Sequence, residues 1–138
     1  MSLNQELILA RCQEINESLE RLASIKSVPL ETFLVDRDLQ DVASYRLLVA
    51  IEAALGLCYH VSAKRLKKVP EEYAECFAIL AKAGLIPAEL SEQLQKTARF
   101  RNLLVHMYWK VDYKTVYEII HGNLDDLRKF SQIIAGLV

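Results

Sequence analysis

Length, composition and charge restrict the fold class and the partners of this chain. Its 138 residues suit one domain, expected to span residues 1–138, and 52% hydrophobic residues with only 4 Gly and 3 Pro disfavour a turn-rich all-β fold. The net charge of −1 excludes a general electrostatic attraction to nucleic acid, so any RNA binding must use a local patch.

Apolar residues three and four positions apart predict two helices in the first half of the chain. The first runs from about Leu3 to Ile25 and stops before Pro29, because a residue that precedes proline avoids the helical region. The second runs from about Pro29 to Leu66, with a bend or restart near Asp36 to Asp38, where either aspartate is a reasonable N-cap. It is apolar around most of its circumference, which predicts burial from two sides, in a bundle centre or against a partner chain.

Three further helices are predicted in the second half. A short one opens at Pro70 and ends at Gly84, and Pro87 starts a fourth that leads into Arg101. A fifth extends from about 113 to 137 and is interrupted or bent at Gly122. No segment has the alternating pattern of a strand. We therefore expect an all-α, single-domain bundle of about five helices joined by short turns.

The cysteines and the apolar segments indicate a cytoplasmic protein. Three cysteines lack the spacing of disulfides or metal ligands and are expected to be buried free thiols: Cys12, Cys58 and Cys76. The N-terminus lacks the features of a signal peptide. The longest apolar-rich stretch, Leu47 to Val61, is too short to span a bilayer and carries Glu52 and His60. His60 and His121 have no ligand-spaced partners, so each is expected to be a core or surface histidine.

The sequence of residues 101–108 contains the pattern R-x4-H-x-Y, which can support phosphodiester cleavage. Arg101 could stabilise charge on a phosphorane, and His106 supplies an imidazole, the side-chain type suited to proton transfer. Asn102 lies four residues before His106 and could orient it, while Tyr108 adds a phenol. The same residues could instead form a polar network that holds helices together. Trp109 with Lys110 could stack a base, although packing or a dimer contact is the more common use.

The spacing within this motif raises a geometric problem. At roughly 100° per residue, Arg101 and His106 stand about 140° apart on an ideal helix, whereas Arg101 and Tyr108 share a face. Either the helix is distorted or ends between them, or a second subunit completes the cleft. We hypothesise a dimer, which a fully active monomer would contradict.

The order of these features resembles the HepT-like family of HEPN domains, over most of the chain beyond about Asp36. The likeness is carried by the Asp-x-Asp-Leu start of the long helix, its run 46–52, the segment 70–77, Leu85-Ile86-Pro87, the motif-bearing run 98–108 and the continuation 111–120. The motif alone would be a weak signal. Within this helical frame it is a specific one.

That resemblance implies a HEPN-like fold and a toxin of a two-gene, type II-like toxin–antitoxin module. Such proteins are metal-independent endoribonucleases that act as homodimers without a cofactor. A minimal nucleotidyltransferase antitoxin silences them by transferring AMP to the motif tyrosine. The implied roles are cleavage for Arg101 and His106, support for Asn102, and AMP acceptance for Tyr108, which must then be at least partly exposed. AMP on Tyr108 would lie beside Arg101 and compete there with RNA phosphate.

Two other functions fit the same sequence. The chain could be a non-catalytic helical subunit that binds substrate for, or docks onto, a nucleotidyltransferase. It could also be a plain dimeric scaffold. Growth impairment on expression, lost in Arg101→Ala and His106→Ala, would favour the toxin.

Overall fold

The computed structural model describes residues 2–138, and this part of the chain contains no strand. It contains seven α-helices and one 3-10 helix, Tyr108–Lys110. The α-helices are α1 Gln5–Ala23, α2 Leu30–Phe33, α3 Arg37–Arg65, α4 Tyr73–Lys82, α5 Ala88–His106, α6 Tyr113–Gly122 and α7 Leu124–Ala135. The all-α prediction is confirmed, but the count of about five helices is wrong, because two predicted helices are each divided.

The first division separates α2 from α3. The Asp36 side chain accepts a hydrogen bond from the Leu39 backbone N–H at 3.1 Å and so caps a new helix. The predicted restart is therefore confirmed, with Asp36 rather than Asp38 as the cap. The first helix also ends at Ala23, two residues before the predicted Ile25.

The second division separates α6 from α7 at Asn123. Its backbone N–H closes α6 on the Ile119 carbonyl at 2.8 Å, and its side-chain amide donates to Asp126 at 3.1 Å in the first turn of α7. The interruption predicted at Gly122 is therefore a complete break between two helices, and it falls at Asn123, one residue later.

The start of α4 differs from the prediction. Pro70 was expected in the first turn, but the helix begins at Tyr73. The preceding loop is held to the end of α3 instead, because the Ser62 hydroxyl donates to the Lys68 carbonyl at 2.7 Å. At the other end, Gly84 has φ +78°, the left-handed conformation that terminates a helix most easily with glycine.

Helix α3 forms the centre of the bundle. Helix α1 packs along it, and α4 to α7 also contact it. Ten of its eleven buried residues, all except Ser62, belong to a single apolar cluster with side chains from the other helices. Phe77 and Phe130 belong to the same cluster, and their rings meet edge-on at 5.3 Å. The predicted burial from two sides is confirmed. By length and composition α3 could also cross a membrane. Half of its most apolar 18-residue stretch is buried in the bundle, however, as in a core helix.

The position of α5 follows from an ion pair between Arg101 and Glu52, which places the last turns of α5 beside the middle of α3. The segment after α5 then returns the chain to the N-terminal end of α3. Tyr113, at the start of α6, lies 6.5 Å from the ring of Phe33, just before α3 begins.

Candidate functional site

Arg101 is the buried member of the motif, with only 9% of its surface exposed. Its Nε–H donates to the Glu52 carboxylate on α3, forming an ion pair. Its Nη1 donates to Asn102 Oδ1 at 3.1 Å, and the guanidinium carbon lies 4.5 Å from the centre of the Tyr73 ring. The hydrogen bond with Glu52 is the main cause that raises the pKa of Arg101 further above its usual value. The site therefore contains a permanent cation held from three sides.

His106 and Asn102 line a cavity of about 800 Å³ between α4 and α5. The other wall contains Tyr59 and Tyr73, whose rings meet edge-on at 5.9 Å, together with Glu71 and Glu72. The i and i+4 spacing of Asn102 and His106 thus places them at one cavity, as the helix geometry predicted.

The predicted contact between Asn102 and His106 is absent. The side-chain amide oxygen of Asn102 accepts a hydrogen bond from Arg101 instead. His106 makes no side-chain hydrogen bond within residues 2–138. The interpretation of Asn102 as a residue that orients His106 is therefore wrong in this structure. Asn102 contacts the other proposed catalytic residue.

Helix α5 continues regularly to His106 and ends there. The Met107 N–H still bonds to the Leu103 carbonyl at 2.9 Å, but Met107 has φ −137° and ψ 44°, outside the helical region. No distortion separates Arg101 from His106, so the two side chains leave one regular helix in different directions.

Tyr108 lies beyond this helix end, on the 3-10 helix, and is 71% exposed. Its predicted exposure is confirmed. The prediction that Tyr108 shares a helix face with Arg101 is wrong, because the seven-residue spacing has this meaning only within one continuous α-helix. The charge competition that we expected beside Arg101 therefore loses its geometric basis.

Trp109 is 67% exposed, and its ring meets that of Tyr108 edge-on at 5.5 Å. The prediction that Trp109 packs inside the protein is therefore wrong. A dimer contact or base stacking stays a prediction.

The other two histidines bond to the backbone, and the three cysteines lie in the core. His60 accepts a hydrogen bond from the Asn4 backbone N–H at 2.9 Å, and both ring nitrogens of His121 face backbone carbonyls. The three cysteines are buried and free, and burial raises the pKa of the Cys58 thiol, beside Cys76. Within residues 2–138, no group of three or more histidine, cysteine or acidic side chains is arranged to hold a metal ion.

Glu52 and Tyr73 are site residues that the motif did not identify. Glu52 gave one signal, since it is a carboxylate within the most apolar run of the chain. Tyr73 gave none, because aromatic residues in an amphipathic helix usually belong to the core.

Comparison with known proteins connects this geometry to one family. A family model described as ribonuclease HepT-like matches residues 15–134. An mRNA nuclease HepT of Shewanella oneidensis is 25% identical over 129 residues, which cover 94% of this chain and 96% of the relative. A tRNA nuclease HepT of Aphanizomenon flos-aquae is 25% identical over 83% of this chain and 78% of the relative.

A solved structure has the same fold. It is a tri-AMPylated Shewanella oneidensis HEPN toxin in complex with an MNT antitoxin, and it superposes with a TM-score of 0.85 at 25% identity. The superposition covers 94% of this chain and 97% of the other.

Proposed function

The chain belongs to the ribonuclease HepT-like family, and we propose that it is the endoribonuclease toxin of a toxin–antitoxin module, silenced by AMP transfer to Tyr108. Two relatives are named as nucleases of mRNA and tRNA, and a structural neighbour is an AMPylated toxin with its antitoxin. The observation that carries the proposal is the buried, oriented Arg101 guanidinium on the helix that ends at the exposed His106.

The proposed reaction uses the 2′-hydroxyl of RNA as the nucleophile. His106 is exposed at the cavity and has the residue type suited to proton transfer at neutral pH. The Arg101 guanidinium stabilises the negative charge that develops on the non-bridging oxygens. In the proposed mechanism His106 takes the 2′-hydroxyl proton as that oxygen bonds to phosphorus, and then gives a proton to the 5′-oxygen as its bond to phosphorus breaks, which leaves a 2′,3′-cyclic phosphate and a 5′-hydroxyl. Proton transfer and charge stabilisation thus both come from side chains, so the mechanism needs neither a metal ion nor a cofactor.

We propose that a second copy of the chain completes the site. Arg101 and His106 project from one regular helix about 140° apart, so one subunit does not direct both side chains at one phosphate. Exposed apolar residues lie in the first half of α3, Val42 and Tyr45, and at the end of α5 and just after it, Val105 and Tyr108. A symmetric dimer through these segments would cover these side chains and bring two copies of the motif together.

Tyr108 is the proposed acceptor of AMP. Its hydroxyl is accessible to another protein because the side chain is 71% exposed on a short helix outside the core. The added nucleotide brings bulk and a negative charge to the proposed dimer and RNA surface. The partner would be a nucleotidyltransferase antitoxin. Residues 1–138 would form one toxin domain, and toxin and antitoxin would both act in the cytoplasm.

Expression in a bacterial host tests this proposal. The wild-type chain alone should arrest growth, and Arg101→Ala and His106→Ala should relieve the arrest. Arg128→Ala is a matched control, because Arg128 is an exposed arginine on α7 whose one ion pair within residues 2–138 is with Asp125 at 2.8 Å. It should remain toxic, and co-expression of the nucleotidyltransferase should restore growth. A wild-type chain that is harmless at high expression would favour the docking-subunit function instead.

A further inference from the structure

Three side chains contact the Arg101 guanidinium, and one of its amino groups is left without a hydrogen bond in residues 2–138. The Glu52 carboxylate accepts a hydrogen bond from Nε–H, and the side-chain oxygen Oδ1 of Asn102 accepts one from Nη1. The Tyr73 ring covers a face of the group. Within residues 2–138 the Nη2 amino group makes no hydrogen bond. Its N–H donors are therefore available to a phosphate that approaches the tip of the side chain.

Glu52 and Arg101 differ in exposure. The Arg101 side chain is 11% exposed and that of Glu52 is 46% exposed. Glu52 is the one acidic residue in residues 2–138 that forms an ion pair with Arg101. A buried cation without a counter-charge is unfavourable, because its lost hydration is not replaced. Without Glu52, the guanidinium would gain free energy by turning toward water.

We propose that Glu52 is a positioning residue for RNA cleavage: it fixes the Arg101 guanidinium by its Nε edge so that Nη2 faces the scissile phosphate. This role rests on the proposed ribonuclease function. Glu52 does not contact the substrate in this scheme. It acts through Arg101, together with Asn102 and Tyr73.

The geometry distinguishes positioning from competition. A guanidinium can bind an oxyanion in a bidentate manner along two edges, one formed by Nε and Nη2 and the other, at the tip, by Nη1 and Nη2. Glu52 occupies Nε. A phosphate at Nη2 therefore need not displace it.

The test measures RNA cleavage by Glu52→Ala and Glu52→Gln, with Glu118→Gln as the matched control. Glu118 is an exposed glutamate of α6, outside the cavity. In Glu52→Ala we expect kcat to fall about 30-fold, while KM changes by less than about 3-fold, because misplacement of a catalytic group costs mainly the chemical step. Glu52→Gln keeps an oxygen acceptor for Nε–H and should recover part of the loss. Glu118→Gln should cleave like wild type.

A second readout does not depend on cleavage. In protein labelled with ¹⁵N-arginine, the Arg101 Nε–H should exchange slowly with solvent, and this protection should be lost in Glu52→Ala. If wild type cleaves RNA and both Glu52 variants cleave equally fast, or faster with a lower KM, the positioning role is overturned and the ribonuclease function stands. If wild type cleaves no RNA although its Nε–H is protected, the ribonuclease function fails, and the role of Glu52 in cleavage fails with it.

Discussion

Arg101 and Tyr108 are seven residues apart but have opposite surroundings. Arg101 is 9% exposed and contacts three side chains, whereas Tyr108 is 71% exposed and its ring meets that of the neighbouring Trp109. Each suits its proposed role. A group that stabilises charge works best when it is fixed and partly desolvated, whereas a hydroxyl that another enzyme modifies must be reachable.

AMP transfer should therefore select Tyr108. Purified toxin, incubated with the nucleotidyltransferase and labelled ATP, should take up AMP, and Tyr108→Phe should not, because it lacks the hydroxyl alone. Tyr45→Phe is the matched control, since Tyr45 is also well exposed, at 60%. It should be labelled like wild type. Undiminished labelling of Tyr108→Phe would place the modification on another residue.

At this scale the sequence predicted which residue types form the site but not how they pair. Arg101, Asn102, His106 and Tyr108 were recognisable because their chemistry and spacing occur together. The ion pair between Glu52 and Arg101 was not predictable, because it joins two helices across 49 positions. The contact of Asn102 was misjudged for a related reason. Helical spacing indicates which residues share a face, so it suggested His106 as the partner of Asn102. Asn102 instead bonds to the buried Arg101, whose guanidinium has lost water and gains most from an acceptor.

At the scale of elements, α1 is held to α3 by a bond that depends on pH. His60 Nε2 accepts from the Asn4 backbone N–H, at the residue that caps α1. Burial, and secondarily the charge of Lys64, lower the pKa of His60. The folded state thus prefers neutral His60 more than the unfolded state does. The stabilisation is present above the unfolded pKa of about 6.5 and is lost as pH falls through the lower folded pKa.

Replacing His60 should therefore weaken the pH dependence of folding. Urea unfolding at about pH 7.5 and about pH 5 gives the loss of unfolding free energy on acidification. We expect a smaller loss for His60→Gln than for wild type, because the variant has no imidazole to protonate while the other titrating groups are shared. An equal loss in both proteins would contradict the role of His60.

Helix interiors were predictable, and their boundaries were less so. The apolar stripe of α1 and the burial of α3 follow directly from side-chain periodicity. The break between α6 and α7 has a side-chain bond from Asn123 to Asp126, and the loop before α4 is held by a bond between Ser62 and Lys68. Such local polar contacts compete with helix continuation, and periodicity carries no information about them.

At the scale of the whole molecule, the net charge of −1 bears on how RNA binds, and the directions of the motif side chains are the reason for the dimer that we propose. A near-neutral protein gains little from long-range attraction to RNA, so binding must depend on a local site. A dimer would build that site from the Arg101 of one subunit and the His106 of its partner. The doubly apolar α3 suggested either a bundle centre or a partner chain from sequence, and the bundle itself buries eleven of its 29 residues.

The most direct measurement is cleavage of labelled RNA in excess chelator by wild type, Arg101→Ala, His106→Ala and a remixed pair of the two variants. We predict cleavage by wild type and at least about 100-fold less by each variant alone. The remixed pair should recover about a quarter of the wild-type rate, since half of the dimers would be mixed and each would hold one intact site. Wild-type protein that cuts no RNA while free of AMP on Tyr108, or variants that cut at the wild-type rate, would contradict the account.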